Sequence, residues 1–413
     1  MKTLITTVGT SLFTNYMKPE IKGEIRSDYE SIDSQFDSIS NASASKYDYY
    51  NGKVNHIREY IKSLWFKRNG EPNVAASAEI KSILKIGEEL GDIRVHLLAT
   101  DSVSSVIAAE LIKEWFEAYH SNIEVEFNKK LDTINELNVQ SKMVFESKGL
   151  INLVERYYCI IDSSYKDYCA LNITGGYKAL IPFLSMFAQL NRIPIFYLFE
   201  DTDDVIKIPQ APINLDWIFI GNNSSIFNIL NETVLVSHSV SWESYKKEKQ
   251  IPSEFDFYYL EEADNENRIF SLNAMGRVVW REYDNSFLVK VPYDFKFFKD
   301  QPSNQDKVRE AIRVLKSKLG NLSQDFNTFV DENIKHCKIG DSTWVCKDSN
   351  LRIRLQYKYE QESQQLTVYN YYFIDSEVAD KSYSTRIENE FNNKLKNAPL
   401  TILALQKPLR NNQ

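Results

Sequence analysis

Apolar runs alternate with amphipathic segments along the first half of the chain. Three runs of β-branched and other apolar residues lack polar alternation, as in strands buried on both faces: residues 2–8, 94–100 and 193–199. Residues 169–176 form a fourth such run, which ends in a glycine pair. Between the runs lie segments with helical apolar spacing: residues 75–90, 101–116 and 179–190. Strands alternating with helices predict a Rossmann-like α/β domain with a parallel sheet over residues 1–217. Asp101 or Ser102 is expected to cap the second helix.

The pattern changes twice after residue 217. Residues 218–285 combine helical patches with a strand-like segment at 276–283, which predicts a small winged-helix-like linker module. Residues 286–413 follow the order strand, Lys- and Arg-rich helix (about 304–319), second helix and strands, an α+β pattern. Residues 352–360 and 365–373 alternate sides around a polar tetrapeptide and predict an antiparallel hairpin.

The composition is that of a globular protein, with 43% hydrophobic and 26% charged residues in 413. The most apolar stretch, Ala179–Phe199, contains Gln189, Asn191, Arg192 and two prolines, so it is not expected to span a membrane. The first residues lack signal-peptide features. Four cysteines without CxxC spacing are expected to be free thiols, which favours a cytoplasmic location. The polar stretch 27–53 is predicted to be a loop insertion.

The net charge of −8 is unevenly distributed. Residues 286–413 contain 20 Lys+Arg and 16 Asp+Glu, a net charge of +4, which leaves −12 for residues 1–285. An acidic first part does not favour binding of long nucleic acids, whereas a basic last part can contact phosphates.

Two glycine-containing segments lie at the carboxyl ends of predicted parallel strands, where open α/β sheets bind ligands. The first contains Gly9, Thr10 and Ser11, and the second is the strand-to-helix turn 172–178. Glycines at a helix N-terminus expose backbone N–H groups that favour an anion. Neither segment has the dinucleotide-binding or P-loop spacing. The pair of loops therefore predicts a phosphate-binding site of another kind.

These motifs resemble those of the CRISPR-associated Rossmann-fold (CARF) sensors. The similar segments are TTVGTSL at 6–12, LLATDSVSS at 97–105, LNITGGYKA at 171–179 and a final hairpin at 196–217. The resemblance implies a homodimer that binds a cyclic oligoadenylate across its two-fold axis, with no other cofactor. The implied ligand-binding residues are Gly9, Thr10, Ser11, Thr174, Gly175, Gly176 and Lys178, with Asp101 and Ser102 as weaker candidates. A two-fold axis suits an even ring, and cyclic tetra-adenylate is favoured over hexa-adenylate.

The C-terminal part lacks the residues that several classes of effector enzyme require. None of the five histidines has an arginine at the spacing of a HEPN ribonuclease, and the HxE and CxxC motifs of zinc deaminases are absent. A metal-dependent PD-(D/E)xK nuclease has half its motif in Asp294-Phe-Lys296, but this triplet follows a predicted strand instead of lying within it. No metal site is expected.

What remains is a basic and aromatic set around the predicted hairpin. Arg352 and Arg354 are expected to share a sheet face, where arginines can hold a phosphate bidentately. Such residues can cut RNA without metal, because cations stabilise the charge that develops when a 2′-hydroxyl attacks phosphorus. A polar sheet face with tyrosines chosen for β-propensity is the structural alternative.

The element order and residues 344–373 resemble the RelE ribonuclease toxins over about residues 286–400. The resemblance implies cleavage of mRNA on the ribosome, as an mRNA interferase in type III CRISPR antiviral defence. The matching catalytic positions are Lys347, Arg352 or Arg354, and Lys381, Tyr383 or Arg386. The usual arginine after the last strand is replaced by Phe-Ile-Asp-Ser, and Arg386 is the candidate substitute. Two alternatives stay open: a ligand-responsive DNA-binding regulator that reads DNA through residues 218–285, and cleavage of the cyclic ligand by the first domain near Thr10 and Ser11.

Overall fold

The computed structural model divides the chain into two compact units. Unit 1 comprises Met1–Asn214 with Ser225–Val279, and unit 2 comprises Leu215–Ser224 with Trp280–Gln413. The structure describes residues 1–18, 29–138, 140–199, 204–211, 213, 215–263, 266–320, 326, 334–339, 343–348, 352–361, 365–373 and 387–406. No helix in these ranges is long and apolar enough to cross a bilayer.

Unit 1 is built on a mostly parallel sheet with Rossmann-like strand order β5-β4-β1-β7-β8-β9, and β6 also pairs with β4. Its strands are β1 (Lys2–Val8), β4 (Ile93–Thr100), β5 (Glu124–Glu126), β6 (Thr133–Ile134), β7 (Cys169–Asn172), β8 (Ile195–Leu198) and β9 (Val205–Ile208); β2 (Lys67–Arg68) and β3 (Glu71–Pro72) form a separate ribbon. Only β9 runs antiparallel to its neighbour in the main sheet. This arrangement confirms the predicted α/β class.

Helices cover both faces of this sheet. They are α1 (Ser11–Tyr16), α2 (Tyr29–Ile39), α3 (Asn51–Trp65), α4 (Ala78–Leu90), α5 (Val103–Tyr119), α6 (Lys129–Asp132), α7 (Lys142–Val144), α8 (Leu150–Ser164) and α9 (Leu180–Asn191), with 3₁₀ turns at Ala44–Lys46, Val74–Ala76 and Lys166–Tyr168 and a π-helical turn at Phe145–Gly149. One buried cluster joins α2–α5 to one face, and a second joins α8 and α9 to the other. Ser102 is the N-cap of α5 and accepts a hydrogen bond from Ser105 N, as expected.

The polar stretch 27–53 was predicted to be a loop, and this is wrong for its described residues. It contains α2, a 3₁₀ turn and the start of α3. Ile32, Phe36 and Ile39 lie at helical spacing and are buried, and the Phe36 ring packs on Phe13 at 4.5 Å between centroids. Three apolar residues over three turns are enough to stabilise this otherwise polar helix, because they pack into the core of unit 1. Such packing contributes more to helix stability than intrinsic propensity does.

The segment 218–285 contains α10 (Trp217–Asn222), α11 (Ser224–Asn231), β10 (Val234–Ser237), α12 (Trp242–Lys249), a 3₁₀ turn (Ser253–Phe257), β11 (Tyr259–Ala263), β12 (Asn267–Leu272) and α13 (Ala274–Asp284). The three strands form an antiparallel sheet in the order β10-β12-β11. The strand predicted at 276–283 is wrong, because those residues form α13 and bury Val278 and Val279 on one side. In the sequence, the pair Val278 and Val279 is compatible with the period of a strand and with that of a helix. The three-domain division itself stays a prediction.

Unit 2 contains a six-stranded sheet in the order β14-β15-β16-β17-β13-β18. The strands are β13 (Ser286–Pro292), β14 (Ile334–Ile339), β15 (Thr343–Asp348), β16 (Ile353–Glu360), β17 (Gln365–Phe373) and β18 (Leu400–Gln406); a 3₁₀ turn (Lys296–Lys299), α14 (Pro302–Gly320) and a π-helical turn (Phe391–Leu395) complete the described elements. Helix α14 confirms the predicted basic helix, and its buried apolar residues belong to the same core as β16 and β17. The second predicted helix falls between α14 and β14, where only Phe326 is described.

The hairpin β16–β17 confirms the predicted antiparallel pair. Its register joins Arg354 to Tyr372 and Gln356 to Asn370, and an irregularity follows Gln356. Arg352 does not belong to β16: it precedes the strand with φ of 53°, in the left-handed region. Strand alternation therefore does not extend to Arg352, and the expectation that it shares a face with Arg354 by alternation is wrong.

Candidate functional site

The two predicted ligand loops meet at the carboxyl ends of β1 and β7. These strands are parallel neighbours, with Thr6 opposite Asn172, so the residues that follow them emerge side by side. A methyl group on Gly9 would lie 3.0 Å from the backbone nitrogen of Gly176. Gly176 has φ of +90°, a conformation that residues with a side chain rarely adopt. The two glycine turns therefore form one continuous surface.

This surface concentrates unused hydrogen-bond donors. Within the described chain, the backbone N–H groups of Thr10, Ser11, Gly175 and Gly176 have no acceptor. All four residues are partly exposed, so a ligand can reach them. Adjacent backbone N–H groups in such turns make anion-binding concavities. The geometry supports binding of a phosphate or a similar anion here.

Hydrogen bonds behind the surface hold the second loop in place. Thr7 Oγ1 donates to the carbonyl of Gly175 at 2.8 Å. Thr174 Oγ1 accepts from Leu198 N at 2.9 Å, and Thr174 N donates to Asn172 Oδ1 at 3.1 Å. The Thr174 side chain thus ties the loop to β8, while Lys178 is exposed beside it.

Glu79 is a residue of this site that the sequence analysis missed. It lies in the first turn of α4, and its side chain is 1% exposed. Its Oε1 accepts from Gly9 N at 2.8 Å, and its Oε2 accepts from the Ser11 hydroxyl. A methyl group on Gly175 would lie 2.3 Å from Oε1, so the carboxylate fills the space between the two loops. In the sequence, Glu79 is an ordinary charged residue of an amphipathic helix. Nothing there indicates its contacts with Gly9 and Ser11, which lie about seventy positions away.

Asp101 and Ser102 also lie at a strand end, but their side chains are engaged within the protein. Asp101 Oδ1 accepts from Ser43 Oγ and Ala44 N, both at 2.9 Å, and Oδ2 accepts from Glu136 N at 3.0 Å. Ser102 caps α5. These contacts favour a structural role, in which Asp101 joins two segments that are distant in sequence.

The Asp101→Asn variant should separate the two roles. An amide can accept at one oxygen only, so at least one of the three donors is left unsatisfied, and we expect a loss of about 1–3 kcal/mol in the free energy of unfolding. Chemical denaturation measures that loss. Ligand affinity of the folded variant should equal that of the wild type. A large loss of affinity without loss of stability would instead place Asp101 among the ligand contacts.

In unit 2, three neighbouring strands align a basic and aromatic row. Lys347 of β15 is paired with Arg354 of β16, which is paired with Tyr372 of β17. Directly paired residues occupy the same face of an antiparallel sheet. Arg354 and Tyr372 are half-buried. The row brings together two of the predicted catalytic positions, and adds Tyr372, which was not among them.

Tyr372 is held by polar neighbours. Its hydroxyl donates to Glu390 Oε2 at 3.1 Å and accepts from Asn370 Nδ2 at 3.0 Å, and Lys296 Nζ lies 4.9 Å from its ring centroid. Gln356, two positions from Arg354, is fully buried, and its amide oxygen has no hydrogen-bond partner among the described residues.

The adjacent Tyr371 belongs to the opposite, core-facing side. Its hydroxyl donates to Asp300 Oδ2 at 2.6 Å. Burial and this hydrogen bond raise the pKa of Tyr371, while hydrogen bonds from Asn304 and Tyr371 lower the pKa of Asp300. Tyr371 therefore stays protonated and acts in packing. Of the two neighbouring tyrosines, Tyr372 is the half-buried one that shares a sheet face with Arg354.

The other predicted catalytic residues are not brought into this row by the described structure. Arg352 is exposed and lies before the strand. Lys381, Tyr383 and Arg386 fall outside the described residues, and Lys347 belongs to the row by its backbone pairing alone. Their roles stay predictions.

The half-motif Asp294-Phe-Lys296 lies after β13, at the start of a 3₁₀ turn. Lys296 Nζ donates to the carbonyl of Tyr371 and lies 4.2 Å from the ring centroid of that residue, while Asp294 is exposed. Across the described ranges, no group of three or more His, Cys, Asp or Glu side chains is arranged to hold a metal ion. Cys159, Cys169 and Cys346 are free thiols.

Comparison with known families bears on unit 1. Residues 74–211 match the model of a family described as CRISPR-associated protein (Cas_APE2256). This part of the chain is similar to CRISPR-associated proteins. The match begins at the 3₁₀ turn before α4 and ends after the β8–β9 hairpin, so it includes Glu79 and the second glycine loop. It supports a CRISPR-associated function for the chain. A comparison with curated proteins gives no match.

Proposed function

We propose that the protein is a CRISPR-associated sensor and effector, in which unit 1 binds a cyclic oligoadenylate and unit 2 cleaves RNA. The observation that carries the sensor role is the set of unused N–H donors on the two touching loops. A cyclic oligoadenylate supplies the matching chemistry, because its phosphates are anionic and its bases can stack on a ring such as that of Tyr177 beside the loop. The family match supports a CRISPR-associated role for this part of the chain. The choice of a cyclic oligoadenylate over other phosphates rests on the resemblance of the two loops to those of CARF sensors.

The effector role of this proposal is supported by the row Lys347–Arg354–Tyr372. In metal-independent cleavage, the ribose 2′-oxygen attacks the adjacent phosphorus, the bond to the 5′-oxygen breaks, and a 2′,3′-cyclic phosphate forms. The 2′-hydroxyl loses a proton, and the leaving 5′-oxygen gains one. Arg354 is suited to bind the non-bridging oxygens, whose charge grows in the transition state. Tyr372, with its hydroxyl between Asn370 and Glu390, is suited to transfer a proton.

The RelE resemblance extends this proposal to mRNA on the ribosome, which would place the substrate against a small active site. The test is cleavage of mRNA on ribosomes by the full chain, with and without cyclic tetra-adenylate, in the presence of excess chelator. We expect cleavage that depends on the ring and persists in chelator. Complete loss of cleavage in chelator would contradict the metal-free proposal and return attention to Asp294 and Lys296.

A DNA-binding regulator remains the second candidate because of one observation. The order α11, β10, α12, 3₁₀ turn, β11 and β12 is that expected of a winged-helix-like module. However, the turn Ser253–Phe257 stands where a recognition helix would be needed, and residues 218–285 contain 11 Asp+Glu against 6 Lys+Arg. A net charge of −5 opposes approach to a phosphate backbone. Ring-dependent, salt-sensitive binding of duplex DNA in a gel shift, without RNA cleavage, would favour the regulator.

A further inference from the structure

Among the described residues of unit 1, Glu79 is the least exposed carboxylate. Asp101, 9% exposed, is also held without a cation, but its three donors lie outside the glycine loops. Asp132, 2% exposed, forms an ion pair with Arg156. Among the described residues, Glu79 has no such cation; its two oxygens receive a backbone N–H and a hydroxyl. Burial of a carboxylate without a cation is unfavourable, so this placement has a cost that the fold must offset elsewhere.

The donors that hold Glu79 are of the kind that an anionic ligand uses, and they belong to the first of the two glycine loops. Gly9 N–H points at Oε1, and the Ser11 hydroxyl gives its proton to Oε2 while its own oxygen accepts from Ala78 N at 3.0 Å. With its proton directed inward, the Ser11 hydroxyl cannot donate to a phosphate, although the Ser11 backbone N–H can. The carboxylate thus lies between the loops and accepts from two of their donors, which are then not available to a phosphate.

We propose that Glu79 is a positioning residue that acts as an internal anion: it holds the two loops together in the free protein and, through its charge, limits how tightly they bind phosphate. This inference rests on the proposed anion-binding role of the loops. A ligand phosphate at the free N–H groups of Thr10, Ser11, Gly175 and Gly176 lies close to the buried carboxylate of Glu79, because Gly9 and Ser11 both donate to it. The repulsion between the phosphate and this carboxylate is little screened. The affinity of the loops for phosphate then depends on two opposing effects: attraction by the free N–H groups and repulsion by the Glu79 carboxylate.

Glutamine at position 79 isolates the charge. It has the shape of glutamate, its oxygen can still accept from Gly9 N, and its amide can donate to Ser11 Oγ. Ser11 then has its proton free to donate outward. Both changes favour an anion, so Glu79→Gln should bind cyclic tetra-adenylate roughly tenfold more tightly than the wild type. If this variant does not fold, Glu79→Met removes the charge and keeps most of the volume.

The experiment is a calorimetric titration of the full-length wild type and Glu79→Gln with three probes: cyclic tetra-adenylate, inorganic tripolyphosphate and adenosine. Glu88→Gln is the matched control, because it makes the same change on α4 at an exposed side chain paired with Lys85. Thermal melts report folding. We expect Glu79→Gln to bind both anions more tightly, with adenosine affinity unchanged and the control equal to the wild type.

Other results overturn the inference. Equal or weaker anion binding by the folded Glu79→Gln would show that Glu79 only supports the loops. A gain that includes the neutral adenosine would show a general change of shape. If the ring does not bind but tripolyphosphate binds more tightly to Glu79→Gln, the internal anion stands and the oligoadenylate proposal fails. If no protein binds either anion, both fail.

Discussion

Replacing Arg354 with alanine should reduce ring-activated RNA cleavage by roughly 10²–10³-fold, the usual effect of removing one preorganised donor to a developing charge. Arg354 lies between Lys347 and Tyr372 in the register of β15, β16 and β17. Its guanidinium can contact two phosphate oxygens at once, which a lysine ammonium cannot do. The Arg354→Lys variant should therefore recover little activity. The measurement is the rate of mRNA cleavage on ribosomes with saturating cyclic tetra-adenylate.

Lys358→Ala is the matched control for Arg354→Ala. Lys358 lies four residues further along the same strand, is exposed, and is paired with Glu360 at 3.0 Å. Its loss should leave cleavage unchanged and alter stability by about 0.5 kcal/mol or less. Ligand affinity should be the same in all variants. If Arg354→Ala is folded and cleaves at the wild-type rate, the hairpin row is not the active face, and Lys381, Tyr383 and Arg386 become the next candidates.

Gly176→Ala should weaken binding of the cyclic oligoadenylate by roughly tenfold to hundredfold. The residue has φ of +90°, and a methyl group would lie 2.9 Å from both Cβ and Oγ1 of Thr7. The strain of such a backbone is of order 1–3 kcal/mol, and relief of the clash would break the bond from Thr7 to the Gly175 carbonyl. The second loop would then shift its free N–H groups away from the first.

Calorimetry with cyclic tetra-adenylate measures this loss, and Gly52→Ala provides the control. Gly52 lies at the start of α3, and a methyl group there would meet nothing within 4 Å. This substitution should leave affinity unchanged and slightly favour the helix. Wild-type affinity in a folded Gly176→Ala variant would show that the glycine pair is not part of the ligand site.

The parallel sheet was predictable because its strands are buried on both faces, which leaves unbroken apolar runs such as residues 94–100. Two helices, α2 and α13, were not predicted from the sequence, each for a different reason. Helix α2 has only a thin apolar stripe, and its stability comes from the core it meets. In α13 the pair Val278 and Val279 is compatible with a strand as well as a helix, and only tertiary contacts select between them.

The candidate site could be predicted only in part. Glycine turns at strand ends are visible in the sequence, because their positions follow from the strands. The carboxylate between them is not visible, since Glu79 reaches Gly9 and Ser11 through tertiary packing of α4. Similarly, Arg352 has a left-handed backbone conformation and precedes the strand, so the alternation of side chains between the two sheet faces does not extend to it. Long-range register, and not residue type, brings Tyr372 beside Arg354.

The most direct test of the central claim is a calorimetric titration of the full-length protein with cyclic tri-, tetra- and hexa-adenylate. The account predicts that cyclic tetra-adenylate binds most tightly, with one ring per two chains, because a ring with two-fold symmetry can contact the glycine loops of both protomers equally. Absence of binding to every ring would contradict the claim that these loops sense a cyclic oligoadenylate, and tightest binding of the three-membered ring would contradict the symmetric mode of binding.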